Sequence, residues 1–306
     1  MLISSKCEDA SLSIAQSETD GLDWADVLIY EDTEALGGSK NFGIDCSDGE
    51  IIWFLDVDDI PSHRFLSEMI GIMEDYQADV VACNFMYSSD RTPLDYGNRT
   101  FNIDVMDGAE AVRLRSMEKF PVTSWSMLYR KGLLTENNIR FPNGLAEDIL
   151  FTYRSLMASK KVCLYYKPLY KYYINPNSVC NSPNTRNIRG NSEISRYNML
   201  EEIVSNDDES DFLMRRFTLT RLRSAGHMSY DGFKAYVKSP QAREMVNRNN
   251  NRQVSFEGFL ATRLSPLYYL MLRSFFRVFY YRSGRIYLDL DGGEIKYPMV
   301  EDKDET

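Results

Sequence analysis

The carboxylates of the stretch IIWFLDVDDIP, Ile51–Pro61, are the residues whose type and spacing most directly suggest chemistry. A continuous apolar run, Ile51–Leu55, reads as a strand covered on both faces and delivers Asp56, Asp58 and Asp59 at its C-terminal end. In open α/β sheets that edge is where ligands bind. Asp56 and Asp58 are one residue apart, so an extended chain would point them the same way. Two like charges held close are costly unless a cation or hydrogen bonds compensate them. Manganese or magnesium suits such hard oxygen ligands, and a divalent ion there could neutralise a departing diphosphate. Asp59 has a simpler reading, as the N-terminal cap of a helix opening at Ile60–Pro61–Ser62.

The elements that must position these groups are legible in the surrounding pattern. Val27–Tyr30, Ile51–Leu55, Ala78–Phe85 and Val162–Leu169 read as strands. Helical stretches alternate with them: Ser11–Ser17, a short helix after the glycine turn at Gly37–Ile44, a helix from Ile60 to about Tyr76, Gly108–Met117 and Leu145–Ala158. This alternation predicts an α/β fold, a doubly wound and mostly parallel sheet. Asn175–Gly190 is rich in Asn, Pro and Ser and reads as a loop. Residues 192–248 look helical with an acidic break at Asn206–Asp211, and residues 286–297 alternate about Asp-Gly-Gly as a β-hairpin would. The expected domains are a sheet domain over 1–180 and a C-terminal helical extension over 181–306.

Composition narrows the function classes. The chain has 306 residues and a net charge of -10, a balance that repels nucleic acid as a partner. Its five cysteines are scattered without C-x-x-C spacing, as expected of free thiols in a reducing compartment. Neither a secretory leader nor a membrane-spanning run is visible, so a cytoplasmic location is expected. One segment departs from the acidic balance. Gly258–Arg285 has five Arg and no acidic residue, and its apolar residues fall mostly at helical spacing. It reads either as an interfacial helix on the cytoplasmic face of an anionic membrane or as a helix docked on the sheet domain, its arginines answering acidic neighbours.

Several of these pieces, in this order, resemble the family 2 glycosyltransferases of GT-A fold. SKNFGI (Ser39–Ile44), DGE (Asp48–Glu50) and IIWFLDVDD are similar to that family's central block. WSMLYRKGLL (Trp125–Leu134), NIRF (Asn138–Phe141), AEDILF (Ala146–Phe151) and YKYYINPNSV (Tyr170–Val179) are similar to its second. The resemblance covers about residues 1–180. It implies a Rossmann-like nucleotide-sugar domain and inverting, metal-dependent transfer of a sugar from a nucleotide-diphosphate sugar to an acceptor hydroxyl. The acceptor class it implies is a cell-surface polysaccharide or lipid-linked glycan. Asp56 and Asp58 would hold manganese or magnesium on the donor diphosphate. Asp148, with Glu147 beside it, would be the catalytic base, although an acidic pair also suits a helix start. Lys40 would contact the donor where the family commonly has Arg, unless it is a solvated surface residue. Trp125 would line the acceptor pocket or belong to the core.

The N-terminal pattern departs from the family's. No P-x-Y-N segment is present, and two registers fit what remains. In one, Leu2–Ala15 supplies the second strand and helix, the first strand and helix are missing, and Ser4 and Ser5 stand where carboxylates meet the nucleotide base. In the other, Met1–Ser5 is the first strand and Asp32 is the base-recognising carboxylate. Tyr173 stands where the family often carries a basic residue. The alternative function is a catalytically inactive relative that binds a sugar nucleotide or serves as a scaffold.

Overall fold

The structure is a computed structural model that describes residues 2–5, 9–31, 36–88, 91–96, 99–173, 185–204, 210–249 and 251–282. The expected hairpin at 286–297, Asp32 and most of the Asn-rich loop lie outside the described residues.

The chain opens with β1 (Leu2–Ser5), α1 (Ser11–Thr19), β2 (Val27–Tyr30) and α2 (Leu36–Cys46). β1 and β2 pair in parallel, Leu2 opposite Val27 and Ser5 opposite Tyr30, as a sheet of their own among the described residues. That pairing is common to both N-terminal registers. Next come β3 (Ile51–Trp53), β4 (Ile60–Pro61), α3 (Phe65–Tyr76), β5 (Val80–Ser88), β6 (Ile103–Met106), α4 (Gly108–Ser116), β7 (Met127–Arg130), α5 (Lys131–Glu136), α6 (Glu147–Ala158) and β8 (Val162–Tyr173). The six-stranded sheet has the order β3-β7-β5-β8-β4, with β6 also paired to β8.

This sheet is mixed, not mostly parallel. β5 and β8 run in parallel, whereas β7 is antiparallel to both β3 and β5, and β4 and β6 are antiparallel to β8. The expectation failed at Met127–Arg130. A buried strand appears in sequence as an apolar run whichever way it points, and a four-residue run gives little periodicity to read.

Both faces of the sheet are covered, and the side chains alternate accordingly. Val80, Ala82, Met127, Tyr129, Val162 and Leu164 point into one core with Leu150, Phe151 and Leu156 of α6. Val81, Cys83, Leu128, Cys163 and Tyr165 point into the other with Phe65, Met69 and Met73 of α3. The β5–β8 ladder shifts register twice near Asn84, opposite Pro168. Proline has no N–H to give a ladder, and an irregularity of this kind accommodates it. The side chain of Asn84 donates to the Tyr166 carbonyl there, at 2.8 Å. β8 continues to Tyr173, beyond the expected end at Leu169.

The remaining helices are α7 (Arg186–Val204), α8 (Ser210–Ser224), α9 (Tyr230–Lys238), α10 (Pro240–Arg248), α11 (Arg252–Arg263) and α12 (Ser265–Arg282). α7 begins at Arg186, inside the stretch read as loop to Gly190. Tyr197, Leu200, Leu213 and Phe217 of α7 and α8 join the α6 side of the sheet core. α9–α12 pack around a second, smaller core built on Phe233, Val237, Met245, Ala261, Tyr268 and Leu272, to which α7 and α8 contribute Ile194 and Leu222. Among the described residues no helix is long and apolar enough to cross a membrane.

Candidate active site

The acidic turn follows β3. Phe54 is buried and meets Phe141, Phe151 and Tyr129 edge-on, which pins the end of the strand. The chain then turns at once: the Asp59 N–H donates to the Asp56 carbonyl at 3.1 Å. Asp56 and Asp58 therefore sit on a tight turn and not on an extended segment. Val57 between them is 89% exposed, so the turn projects from the sheet edge.

Asp59 does not cap a helix. Residues 60–61 form β4 against β8, and α3 starts only at Phe65, after Arg64, with no side-chain cap. Asp59 instead accepts the Tyr173 backbone N–H at 2.8 Å, tying the turn to the end of β8. Burial pushes its pKa up to about 7, against the opposing pull of the Tyr173 N–H and the Tyr170 hydroxyl. The Pro at position 61, suited to a first helical turn, is equally suited to a short strand on the edge of a sheet.

Lys40 is the centre of the site. It projects from α2, which docks closely because glycines open it. A Cβ on Gly37 would lie 2.5 Å from the Pro142 carbonyl oxygen, and one on Gly38 would lie 2.3 Å from the Tyr30 hydroxyl. Asn41 fastens the helix by donating to the Phe141 carbonyl at 2.9 Å and accepting the Phe141 N–H at 2.8 Å. The Lys40 ammonium then reaches Glu147 Oε1 at 3.0 Å and Asp148 Oδ1 at 3.3 Å, over the Phe141 ring. It is not a solvated surface residue. Burial alone would lower its pKa, but the carboxylates of Asp148, Glu147 and Asp56 outweigh that and hold it above the ordinary lysine value.

Glu147 and Asp148 form the first turn of α6, preceded by Ala146 in the left-handed region at φ 57°. Acidic residues belong at a helix start on dipole grounds. Here the pair also faces charges from two other segments. Glu147 is buried on Lys40, and its charge also acts on the Arg196 guanidinium of α7. Arg196 also donates to the carbonyls of Asn143 and Leu145, holding the approach to α6.

Ser124 is the site residue that sequence reasoning missed. Its hydroxyl donates to Asp148 Oδ1 at 2.7 Å, the same oxygen that Lys40 meets. Ser124 is fully buried in a single helical turn, Ser124–Ser126, before β7. That turn is held by the Trp53 indole N–H, which donates to the Trp125 carbonyl at 2.8 Å. Thr152 of α6 donates to the Val122 carbonyl at 2.8 Å, so α6 and this turn are locked together. No spacing rule links Ser124 to Asp148; the contact exists only once the sheet has formed.

The acidic turn and the acidic pair meet at one place. Asp56 is pushed up to about 6, first by burial; Lys40 pulls it down, and the charges of Asp148, Asp58 and Glu147 push it further up. Each of these groups is close enough to perturb Asp56. Their carboxylates outnumber the cations here, Lys40 and Arg196, so the site suits a divalent cation. Among the described residues no three His, Cys, Asp or Glu side chains form a ready cage. One or two carboxylates completed by substrate phosphates and water is the usual arrangement for magnesium, and Asp56 with Asp58 fits it.

The other expected site residues fall elsewhere. Trp125 is 4% exposed, stacked on Tyr170 at 4.4 Å and edge-on to Phe85, which is a core placement. Tyr173 supplies its backbone N–H to Asp59, and the Arg91 guanidinium lies 4.1 Å from its ring centre, bringing a cation to the place where the family often has a basic residue. The backbone of Ser5 ends β1 opposite Tyr30. Asp32 lies outside the described residues.

This fold is that of the GT-A-like enzymes. Over 97% of the chain it superposes on 88% of the crystal structure of Staphylococcus aureus TarS 1-349 in complex with UDP-GlcNAc, with a TM-score of 0.60 and 18% identity. The sequence profile of glycosyl transferase family 2 matches residues 4–137, so this stretch of the chain is similar to that family. Bacillus subtilis EpsH, named as a glycosyltransferase, is 26% identical over 189 residues, covering 58% of this chain and 53% of its own. B. subtilis EpsJ is 29% identical over 163 residues, covering 51% and 47%. The poly(ribitol-phosphate) beta-N-acetylglucosaminyltransferase TarS of S. aureus is 22% identical over 249 residues, covering 78% and 41%. The chain thus spans about half the length, or less, of the curated relatives it matches.

Proposed function

We propose that the chain transfers a sugar from a nucleotide-diphosphate sugar to an acceptor hydroxyl with inversion, using Asp148 as the base. The observation that carries this is the meeting of two distant acidic segments: Lys40 bridges Glu147 and Asp148, and all three perturb Asp56. A hydroxyl is a poor nucleophile near neutral pH. Asp148 would accept its proton as the oxygen attacks the anomeric carbon from the face opposite the leaving group. The bond from that carbon to the diphosphate oxygen breaks, and the nucleotide diphosphate leaves with the bonding electrons. Removing the proton in this way contributes about 10²–10⁴-fold.

Ser124 and Lys40 both engage Asp148 Oδ1, and Oδ2 would be the oxygen that takes the acceptor proton. Asp56 and Asp58 would hold manganese or magnesium, which supplies positive charge to the departing diphosphate. Lys40 would add charge on the same side, as a point charge without the bidentate geometry of Arg.

The TarS complex makes UDP-GlcNAc the first donor to test, and the poly(ribitol-phosphate) in the name of TarS supports a polymer of the cell-surface polysaccharide or lipid-linked glycan class as the acceptor in this reading. Action in the cytoplasm or at its membrane face, with peripheral membrane contact through the C-terminal helices, belongs to the same reading. The test is release of nucleotide diphosphate from a panel of UDP- and GDP-sugars by the purified chain with manganese or EDTA. Release that needs the metal and is lost in Asp58→Ala supports the enzyme. A chain that binds no nucleotide sugar, with or without manganese, is the scaffold instead.

A further inference from the structure

The last two described helices carry an apolar surface that the transfer reaction does not use. Val254, Gly258 and Ala261 face inward from α11, and Gly258 lies so close to α10 that a Cβ there would meet Val246 at 2.5 Å. The opposite stripe of α11 is Arg252, Phe256, Phe259 and Arg263, spaced four, three and four residues apart, so all four share one side of the helix. Phe256 is 61% exposed and Phe259 54%. α12 repeats the arrangement: Tyr268 and Leu272 are buried, whereas Leu267, Leu270 and Met271 are exposed beside an exposed Arg273. Leu264, in the short connection between the helices, is exposed as well.

The charges on this surface are sorted. Glu257 is the one acid between Arg252 and Arg285. It is turned inward, onto the Arg223 guanidinium at 2.8 Å and the Tyr268 hydroxyl at 2.8 Å. Arg252, Arg263 and Arg273 are exposed, and among the described residues no ion pair holds them. On a chain of net charge -10, this is a basic apolar face on an acidic molecule.

We propose that the exposed stripes of α11 and α12 form a docking face for an anionic lipid surface. Aromatic and aliphatic side chains would enter the boundary between headgroups and acyl chains, and Arg252, Arg263 and Arg273 would meet the headgroup phosphates. The physical elements are those of an interfacial helix: exposed apolar side chains flanked by basic ones, with no acid facing out. The face sits on a helical cluster separate from the sheet core that α6 joins, so it would tether the enzyme without entering its chemistry.

The test is flotation of the full chain with phosphatidylcholine vesicles, with and without phosphatidylglycerol. The protein should co-float with the anionic vesicles, less so as salt is raised, and not with phosphatidylcholine alone. A Phe256→Ser, Phe259→Ser, Leu270→Gln variant and an Arg252→Gln, Arg263→Gln, Arg273→Gln variant should each lower the bound fraction by about tenfold or more. All six positions are exposed, and circular dichroism will show that the fold is kept. Absence of flotation by the unsubstituted chain, or equal flotation of all three proteins, overturns the proposal. So does a dimer in size-exclusion chromatography that the apolar variant abolishes while vesicles bind neither protein, which would assign the face to a second copy.

Discussion

Replacing Lys40 with Met tests the electrostatics of the site without changing its packing much. The ammonium lies 3.0 Å from Glu147 and 3.3 Å from Asp148, and the three side chains are only 17%, 12% and 21% exposed. Removing one partner of a fully buried pair costs about 3–5 kcal/mol, because it leaves a charge unpaired. Losing a solvated pair costs at most about 1 kcal/mol. These partly buried groups fall between those limits, so Lys40→Met should cost about 2–3 kcal/mol at neutral pH. For a chain of this size that lowers Tm by roughly 4–12 °C.

The pH dependence carries a sign. Lys40 has a folded pKa above its ordinary value, so its contribution is complete at all pH values below that ordinary value and is lost only as pH rises through the folded one. Asp56 is held at about 6 against the downward pull of Lys40, so in the variant it rises further and takes up its proton earlier as pH falls, and the deficit should shrink between about pH 7.5 and about pH 5. Urea melts of both proteins at the two pH values measure this, and Lys40→Arg should keep most of the stability. A deficit that is equal at both pH values, or absent at neutral pH, would refute the reasoning.

Three further outcomes follow from named contacts. Ser124→Ala should leave donor binding unchanged and lower turnover by about tenfold, because Asp148 loses the hydrogen bond that orients its carboxylate. Ser124→Thr should restore part of the rate, and an unchanged turnover in the Ala variant removes Ser124 from the account. Gly37→Ala puts a methyl against the Pro142 carbonyl, so it should destabilise by about 1–3 kcal/mol and weaken donor binding by displacing Lys40. Calorimetry and donor titration check both effects. Glu193 is a buried carboxylate: burial alone would raise its pKa, but His227 and Arg189 outweigh that and hold it at about 2. Its contribution is present above the ordinary carboxylate value and fades as pH falls toward 2, so Glu193→Gln should cost about 1–3 kcal/mol at neutral pH and progressively less in acid urea melts.

Much of this arrangement can be read from the chain itself, because its signals are local. The apolar run before Asp56, the glycines before Lys40 and the acidic pair opening α6 each mark an element and its end. What escapes local reading depends on the sheet. The direction of β7 is set by its neighbours and not by the four residues Met127–Arg130. Asp59 looks like a helix cap because Pro61 follows, yet β8 runs on past Leu169 and offers it a backbone N–H. The position of Pro168 is explained only by the irregularity opposite Asn84. Ser124 has an unremarkable sequence context, and its place beside Asp148 is created by Trp53 holding the turn and Thr152 holding the helix. Trp125 shows the reverse: its aromatic ring invites a binding role, and the structure packs it between Tyr170 and Phe85.

The measurement closest to the central claim compares Asp148→Asn with the unsubstituted chain under manganese, taking donor affinity by calorimetry and transfer by single-turnover release of nucleotide diphosphate. If Asp148 removes the acceptor proton, donor affinity stays within about threefold while the transfer rate falls by about 10²–10⁴. A variant that still transfers sugar at nearly the unsubstituted rate would show that the proton goes elsewhere and that the meeting of the two acidic segments has another purpose.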